Sequence, residues 1–182
     1  MDKPKVGVIV GSNRKASINR RLALAMTRLV DDRLDFHWIR IDELPMYNQD
    51  LEGQRPDVVH RFTGQVAAVP ALFFVTPEHN RSIPAVLKNA IDWGSKPTEQ
   101  NVWRGRIAAI TGTAMGSIGT AVGQQHLRQI LAILGVTVMG GEAYITFKPD
   151  PVDNDGNFLD DSKRAFCEAY MNQFVALVER LA

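Results

Sequence analysis

Cysteine is almost missing from this chain: Cys167 is the only one among 182 residues. One thiol builds no disulfide framework, and its lone presence fits a reducing, cytoplasmic setting. Net charge is missing as well. Lys and Arg number 21 against 20 Asp and Glu, a formal balance of +1, so no global field favours nucleic acid or an anionic membrane. No apolar stretch approaches the roughly 20 residues of a spanning helix. Met1-Asp2-Lys3-Pro4 leads directly into a short apolar run and is not a signal sequence. The four histidines, His37, His60, His79 and His126, are scattered without zinc-site spacing. Asp153-Asn154-Asp155-Gly156 resembles a calcium loop only superficially. Pro151 and Ser162 would fall at its first and twelfth positions, so a turn is expected. Gly116-Ser117-Ile118-Gly119 lacks the spacing of a hydrolase nucleophile elbow.

What is present is enough apolar material for one core, 45% of residues, in a length that fits one domain over 1–182. Apolar runs and helical stripes alternate from end to end. Lys5 to Val10 reads as a strand buried on both faces, stopped by Gly11-Ser12. Ile18, Leu22, Ala25, Met26, Leu29 and Val30 mark a helix. Further strands are predicted over Leu34 to Ile41, Ala71 to Val75 and Ile107 to Ile110, with the segments around Val136 and Ala143 to Phe147 sharing a fifth. Helices are predicted near Val58 to Val69, over Ile83 to Trp93, from Ile118 to Leu134, and after Asp160 or Asp161 through Phe166, Tyr170, Phe174, Val178 and Leu181. Pro97 to Trp103 and Lys148 to Asp160 are expected to be mobile loops. The alternation implies an α/β fold, a flavodoxin-like doubly wound five-stranded parallel sheet in the order 2-1-3-4-5 with helices on both faces. Ligands of such sheets sit beyond the carboxyl ends of the strands.

Three loops at those ends draw attention. After the first strand comes Gly11-Ser12-Asn13-Arg14-Lys15-Ala16-Ser17-Ile18-Asn19: a tight turn, short polar side chains, two cations and a helix start. A helix N-terminus offers free N–H groups and roughly half a positive charge, which suits a phosphate. The loop is neither a Walker loop nor a dinucleotide GxGxxG turn. After the third strand, Thr76-Pro77-Glu78-His79-Asn80-Arg81-Ser82-Ile83-Pro84 sets a polar stretch between two prolines; alone it reads as a strand-to-helix connection. After the fourth, Gly112-Thr113-Ala114-Met115-Gly116-Ser117-Ile118-Gly119 supplies three glycines where backbone approaches something closely, or simply turns widely before a helix.

These residues carry a family resemblance. The first loop, the Leu44 to Glu52 segment (LPMYNQDLE), the Thr76 to Trp93 block and the Ala114-Met115-Gly116 loop together resemble NAD(P)H-dependent FMN reductases, and more narrowly their quinone and chromate reductase branch. The resemblance implies FMN held without covalent attachment, NADPH or NADH as co-substrate, and a quinone or similar acceptor, chromate, azo compounds and free flavin included. It implies a ping-pong cycle and a homodimer or homotetramer. It places Gly11, Ser12, Asn13, Arg14, Ser17, Ile18 and Asn19 around the flavin phosphate. Pro77, Glu78, His79 and Asn80, with Thr113, Ala114, Met115 and Gly116, would then flank the flavin ring. The chain departs from the family pattern twice. His79 stands where a tyrosine is usual, offering a smaller side chain that can pass a proton to a reduced quinone. Gly119-Thr120-Ala121-Val122 replaces a segment that in the chromate-reducing branch ends in arginine. The rival reading is an electron-carrying flavodoxin, against which the near-neutral charge counts. A response-regulator receiver would need acidic residues where Gly11-Ser12 and Thr76-Pro77 stand.

Overall fold

The structure is a computed structural model that describes residues 2–182. Its first five elements are β1 (Lys5–Val10), α1 (Ile18–Arg28), β2 (Asp35–Trp38), α2 (Asp57–Ala67) and β3 (Ala71–Val75). After them come α3 (Ala85–Ser95), β4 (Ile107–Ala114), α4 (Ala121–Ile133), β5 (Thr137–Val138), β6 (Tyr144–Thr146) and α5 (Asp161–Leu181). All strand pairings within the sheet are parallel, and the order is β2-β1-β3-β4-β5, with β6 also on β4. The expected 2-1-3-4-5 sheet is therefore present.

Its fifth position is divided. β5 pairs with Ile107 and Ala108, and β6 with Gly112 to Ala114. Gly140-Gly141 separates the two, and Gly141 sits at φ +81°, a conformation that ends an extended run. Between them Tyr170 of α5 closes the gap: its hydroxyl donates to Ile110 O at 2.7 Å and accepts from Ile110 N at 3.2 Å.

Each face of the sheet is covered. Val6, Val8, Phe73, Val75 and Ala109 meet α1 and α5 through Leu22, Met26, Tyr170, Phe174 and Val178. Ile9, Leu72, Phe74, Ala108 and Ile110 meet α2, α3 and α4 through Phe62, Leu87, Ile91, Leu127 and Leu131. Fully burying one such side chain stabilises by about 1.5–3 kcal/mol, so both faces resist polar substitution.

Several sequence expectations shift. β2 is shorter than Leu34 to Ile41: Ile39 N makes the last bond to β1, donating to Val8 O at 2.9 Å, and the side chains of Ile39 and Ile41 join the core cluster that includes Val59 and Phe62 of α2. β4 runs past Ile110 to Ala114 because β6 supplies partners, so Thr113 and Ala114 are strand-end rather than loop residues. Asp160 caps α5, accepting from Lys163 N at 2.9 Å. Phe166 and Leu181 fall outside the buried stripe, which runs instead through Cys167, Tyr170, Met171, Phe174, Val175 and Val178. Ile118 and Val122 are exposed, ahead of the part of α4 that reaches the core. Trp103, expected in a mobile loop, is fully buried with its indole N–H on Ile91 O at 3.0 Å. The second expected mobile loop folds on itself: Val152 bridges Phe158, and Asp153 accepts from Asp155 N and Asn157 N. No cluster of potential metal ligands occurs among the described residues, nor any helix long and apolar enough to cross a membrane.

Candidate functional site

The carboxyl ends of β1, β3 and β4 enclose a cleft of about 140 Å³. Gly11, Ser12, Asn13, Arg14, Ser17, Ile18 and Asn19 line one wall. Pro77, Glu78 and His79, with Pro84 and Val86, line another, and Thr113 and Ala114 close the third. Asn80, Met115 and Gly116 do not line it. Asn80 sits at the tip of a turn, and Met115 is 53% exposed beyond the strand end. A larger, open concavity of about 660 Å³ lies at the amino ends of β1 and β2. Its cations Lys3, Lys5 and Arg28 are offset by Asp2, Asp31 and Asp35, and it lies at the end of the sheet where parallel α/β folds do not place ligands.

The first wall is built by the start of α1. Ser17 is buried and accepts from Arg20 N at 3.2 Å, so it is the cap. The N–H groups of Ile18 and Asn19 belong to the first turn and have no partner within the helix. Arg14 N donates to Ser12 Oγ at 3.4 Å. The Arg14 side chain is exposed and forms no ion pair with any described residue. The buried Asn19 side chain is spent on structure, bonding the Thr113 backbone through both its oxygen and its nitrogen. What it offers to the cleft is its backbone.

The second wall is a two-residue hairpin turn. His79 N bonds Ser82 O and Ser82 N bonds His79 O, each at 2.9 Å. The residues between, Asn80 and Arg81, have φ of +51° and +65°. Both central residues are left-handed, as in a type I′ turn, with no glycine to relieve the backbone. Side chains hold this strained turn in place. Glu78 accepts from Gly123 N at 2.9 Å, at the first turn of α4, and from Arg81 at 3.2 Å. Ser82 Oγ meets His126 Nδ1 at 2.8 Å. Glu78 therefore lines the cleft while its carboxylate fastens the turn to α4.

The third wall depends on close strand approach. A Cβ on Gly11 would overlap the Thr76 hydroxyl, and one on Gly112 would overlap the Thr76 carbonyl oxygen. Thr113 Oγ1 is buried at this wall and finds no hydrogen-bond partner among the described residues. An orphaned hydroxyl, an unpaired guanidinium and a free helix terminus in one cleft fit a phosphorylated polar ligand.

The Leu44 to Glu52 segment stands aside from the cleft. Asn89 binds it at Tyr47 N (2.7 Å) and Pro45 O (2.9 Å), and Trp93 Nε1 donates to Pro45 O at 2.8 Å. Tyr47 donates to Glu52 at 2.5 Å, and that carboxylate, with some burial, pushes its hydroxyl up to about 12. Sequence reasoning missed Pro84 and Val86 as cleft residues. Pro84 lay within the second loop as read, but an apolar residue starting a helix, such as Val86, is indistinguishable from core in sequence.

An open parallel sheet with a phosphate-ready cleft at its switch point defines a flavodoxin-like α/β protein. The chain matches the NADPH-dependent FMN reductase family over residues 4–150. It is 41% identical to 2-hydroxy-1,4-benzoquinone reductase of Burkholderia sp. over 175 residues, 96% of each chain. It is 38% identical to an NAD(P)H-dependent FMN reductase of Pseudomonas aeruginosa over 182 residues, 99% of this chain and 98% of that one. Among solved structures it is similar to FerB, a flavoenzyme NAD(P)H:(acceptor) oxidoreductase from Paracoccus denitrificans, with a TM-score of 0.93, 38% identity and 98% of both chains covered. The chain belongs to the NADPH-dependent FMN reductase family.

Proposed function

We propose that this protein is an FMN-dependent NAD(P)H oxidoreductase that passes two electrons to a quinone or a similar acceptor. The observation that carries the reading is the single cleft formed by the ends of β1, β3 and β4, with a helix terminus and Arg14 at one wall and a rigid hairpin at another. Bound FMN supplies a ring that takes a hydride from a reduced nicotinamide and yields two electrons to an acceptor.

The chain's own residues hold and shape. Arg14, the Ser12 hydroxyl and the free N–H groups at the start of α1 would hold the phosphate, and Thr113 Oγ1 would gain a partner. The hairpin from Pro77 to Ser82, locked by Glu78 and His126, would fix the ring against rigid backbone. Donor and acceptor would enter the same opening in turn, a ping-pong order. His79, which lines the cleft, would give a proton to the oxygen of a quinone as it is reduced. A homodimer or homotetramer, as the resemblance implies, would bring a subunit neighbour to the exposed rim formed by Met115, Ile118 and Val122. A reducing cytoplasm suits both the buried free thiol of Cys167 and a supply of reduced nicotinamide.

The deciding experiment is the visible spectrum of FMN-loaded protein under anaerobic conditions. Rapid bleaching by NADPH or NADH, with colour returning on addition of a benzoquinone, is expected. Flavin that stays oxidised with both nucleotides would identify an electron carrier instead. Protein that rejects FMN would overturn the reading altogether.

A further inference from the structure

The start of α1 carries more positive charge than one flavin phosphate requires. Beyond Arg14, the residues Lys15, Arg20 and Arg21 line a separate hollow of about 320 Å³, which adjoins the cleft through the shared Ser17. None of the three forms an ion pair with a described carboxylate. Five other basic side chains do form such pairs: Arg33 with Glu179, Arg40 with Asp42 and Glu43, Arg61 with Glu43, Arg81 with Glu78 and Lys88 with Asp92.

Two further observations give this charge an orientation. Arg21 is held by Asn154 Oδ1 at 2.9 Å, and its guanidinium lies 4.8 Å from the Phe147 ring centre. Its charge is thereby fixed without being neutralised. Arg20 lies 5.8 Å from the ring centre of Trp38, which is 38% exposed at the end of β2. Trp38 and Arg20 border another small hollow, which reaches Ser12 of the phosphate loop. The carboxylate lining that hollow, Asp42, is paired with Arg40 at 3.0 Å; that hydrogen bond, with a smaller contribution from the charge of Arg20, holds its pKa below the usual carboxylate range. Arg20 thus stands between the two hollows, with the Trp38 ring on one side and, on the other, Lys15 and the Arg21 guanidinium held by Asn154.

That combination suits a flat heterocycle carrying a doubly charged phosphate monoester. Resting on the functional reading above, we propose that Arg20, Arg21 and Lys15, with the ring of Trp38, form a subsite for the 2′-phosphoadenosine end of NADPH. NADH shares the adenine but lacks the monoester, so the subsite makes NADPH the preferred hydride source. Aromatic stacking contributes to both nucleotides, and the charge-assisted hydrogen bonds to only one.

The test uses FMN-loaded protein with 2′,5′-ADP, 5′-AMP and inorganic phosphate as probes in calorimetry, alongside steady-state kinetics with each nicotinamide nucleotide. 2′,5′-ADP is expected to bind about 10-fold or more tightly than 5′-AMP, the scale of one charged hydrogen bond. Arg20→Gln, and the Arg20→Gln/Arg21→Gln pair more fully, should erase that difference. They should raise KM for NADPH by about 10-fold or more while kcat, NADH kinetics and flavin content stay unchanged. Trp38→Leu should weaken 5′-AMP and 2′,5′-ADP alike. Equal binding of the two nucleotides to the parent protein would overturn the subsite, as would a loss in the variants that strikes NADH equally. Inorganic phosphate competing as well as 2′,5′-ADP would mark an adventitious anion site and overturn it too. If neither nicotinamide nucleotide bleaches the flavin, the functional reading fails, and the calorimetry still decides the subsite separately.

Discussion

Asn19 and Thr113 are joined twice, although 94 residues separate them: the Asn19 amide donates to Thr113 O at 3.0 Å and accepts from Thr113 N at 2.9 Å. This pairing ties the start of α1 to the end of β4, and so sets the first wall of the cleft against the third. Asn19→Ala would leave a buried N–H and a buried C=O without partners. We expect a loss of about 2–3 kcal/mol in stability, read by urea unfolding, together with weaker FMN retention. A variant as stable as the parent would show that water replaces the amide.

Arg14 carries a different expectation because its charge is exposed and unpaired. Arg14→Ala should leave the unfolding curve where it is and weaken FMN binding by about 1–3 kcal/mol, the loss of one charged hydrogen bond. Riboflavin, which lacks the phosphate, should bind parent and variant alike. Fluorescence titration with both flavins checks the difference, and an equal loss for riboflavin would place Arg14 elsewhere than at the phosphate.

His79→Phe should lower quinone turnover while FMN binding and the reductive half-reaction continue, since only the proton to the acceptor is withdrawn. Stopped-flow traces of each half-reaction, recorded from pH 6 to 9, separate the steps. A pH profile identical to the parent's would remove His79 from that role.

Two glycines make opposite predictions. At Gly112 any Cβ would run into the carbonyl of Thr76, the residue that follows β3 and is held to β4 by its N–H on Thr111 O at 2.9 Å. Gly112→Ala is expected to abolish soluble expression. At Gly64, within α2, a Cβ has nothing within 4 Å. Gly64→Ala should stabilise by about 0.5–1 kcal/mol through helix propensity and reduced chain entropy. The soluble yield of Gly112→Ala decides the first, and the thermal melt of Gly64→Ala the second.

Much of the architecture is legible in the sequence because hydrophobic period and turn residues agree. Ala71 to Val75, apolar at every position, coincides with β3. Less legible are features that depend on residues distant in sequence. The extension of β4 to Ala114 needs β6 beside it, and the burial of Trp103 needs α3 above it. The same holds at the cleft. The cation and the helix start are local and can be read directly. The role of Glu78 depends on Gly123, and that of Asn19 on Thr113, and neither partner is near in the chain. The left-handed pair Asn80 and Arg81 left no signal at all, because turns of that kind usually advertise themselves with glycine.

Alkaline pH tests the interior. Burial pushes the Cys167 thiol up to about 12 from its ordinary 9.0. In the unfolded chain the thiol ionises first, so between those values the folded state holds the extra proton and stability falls as pH rises. Below pH 9 this contribution is fully present. Cys167→Ala should flatten part of that alkaline decline in chemical unfolding measured from pH 8 to 11. In the parent protein, a thiol reagent should react only as fast as the fold opens.

The gap between β5 and β6, plugged by the Tyr170 hydroxyl, bears on how the chain is made. During synthesis β4 emerges from the ribosome about sixty residues ahead of the side chain that completes it. Until that tyrosine arrives, the N–H and C=O of Ile110 have only water, or a chaperone, to meet them. Premature termination before residue 170 would therefore yield a product with every strand of the sheet yet an unsealed seam, a ready substrate for quality-control proteases.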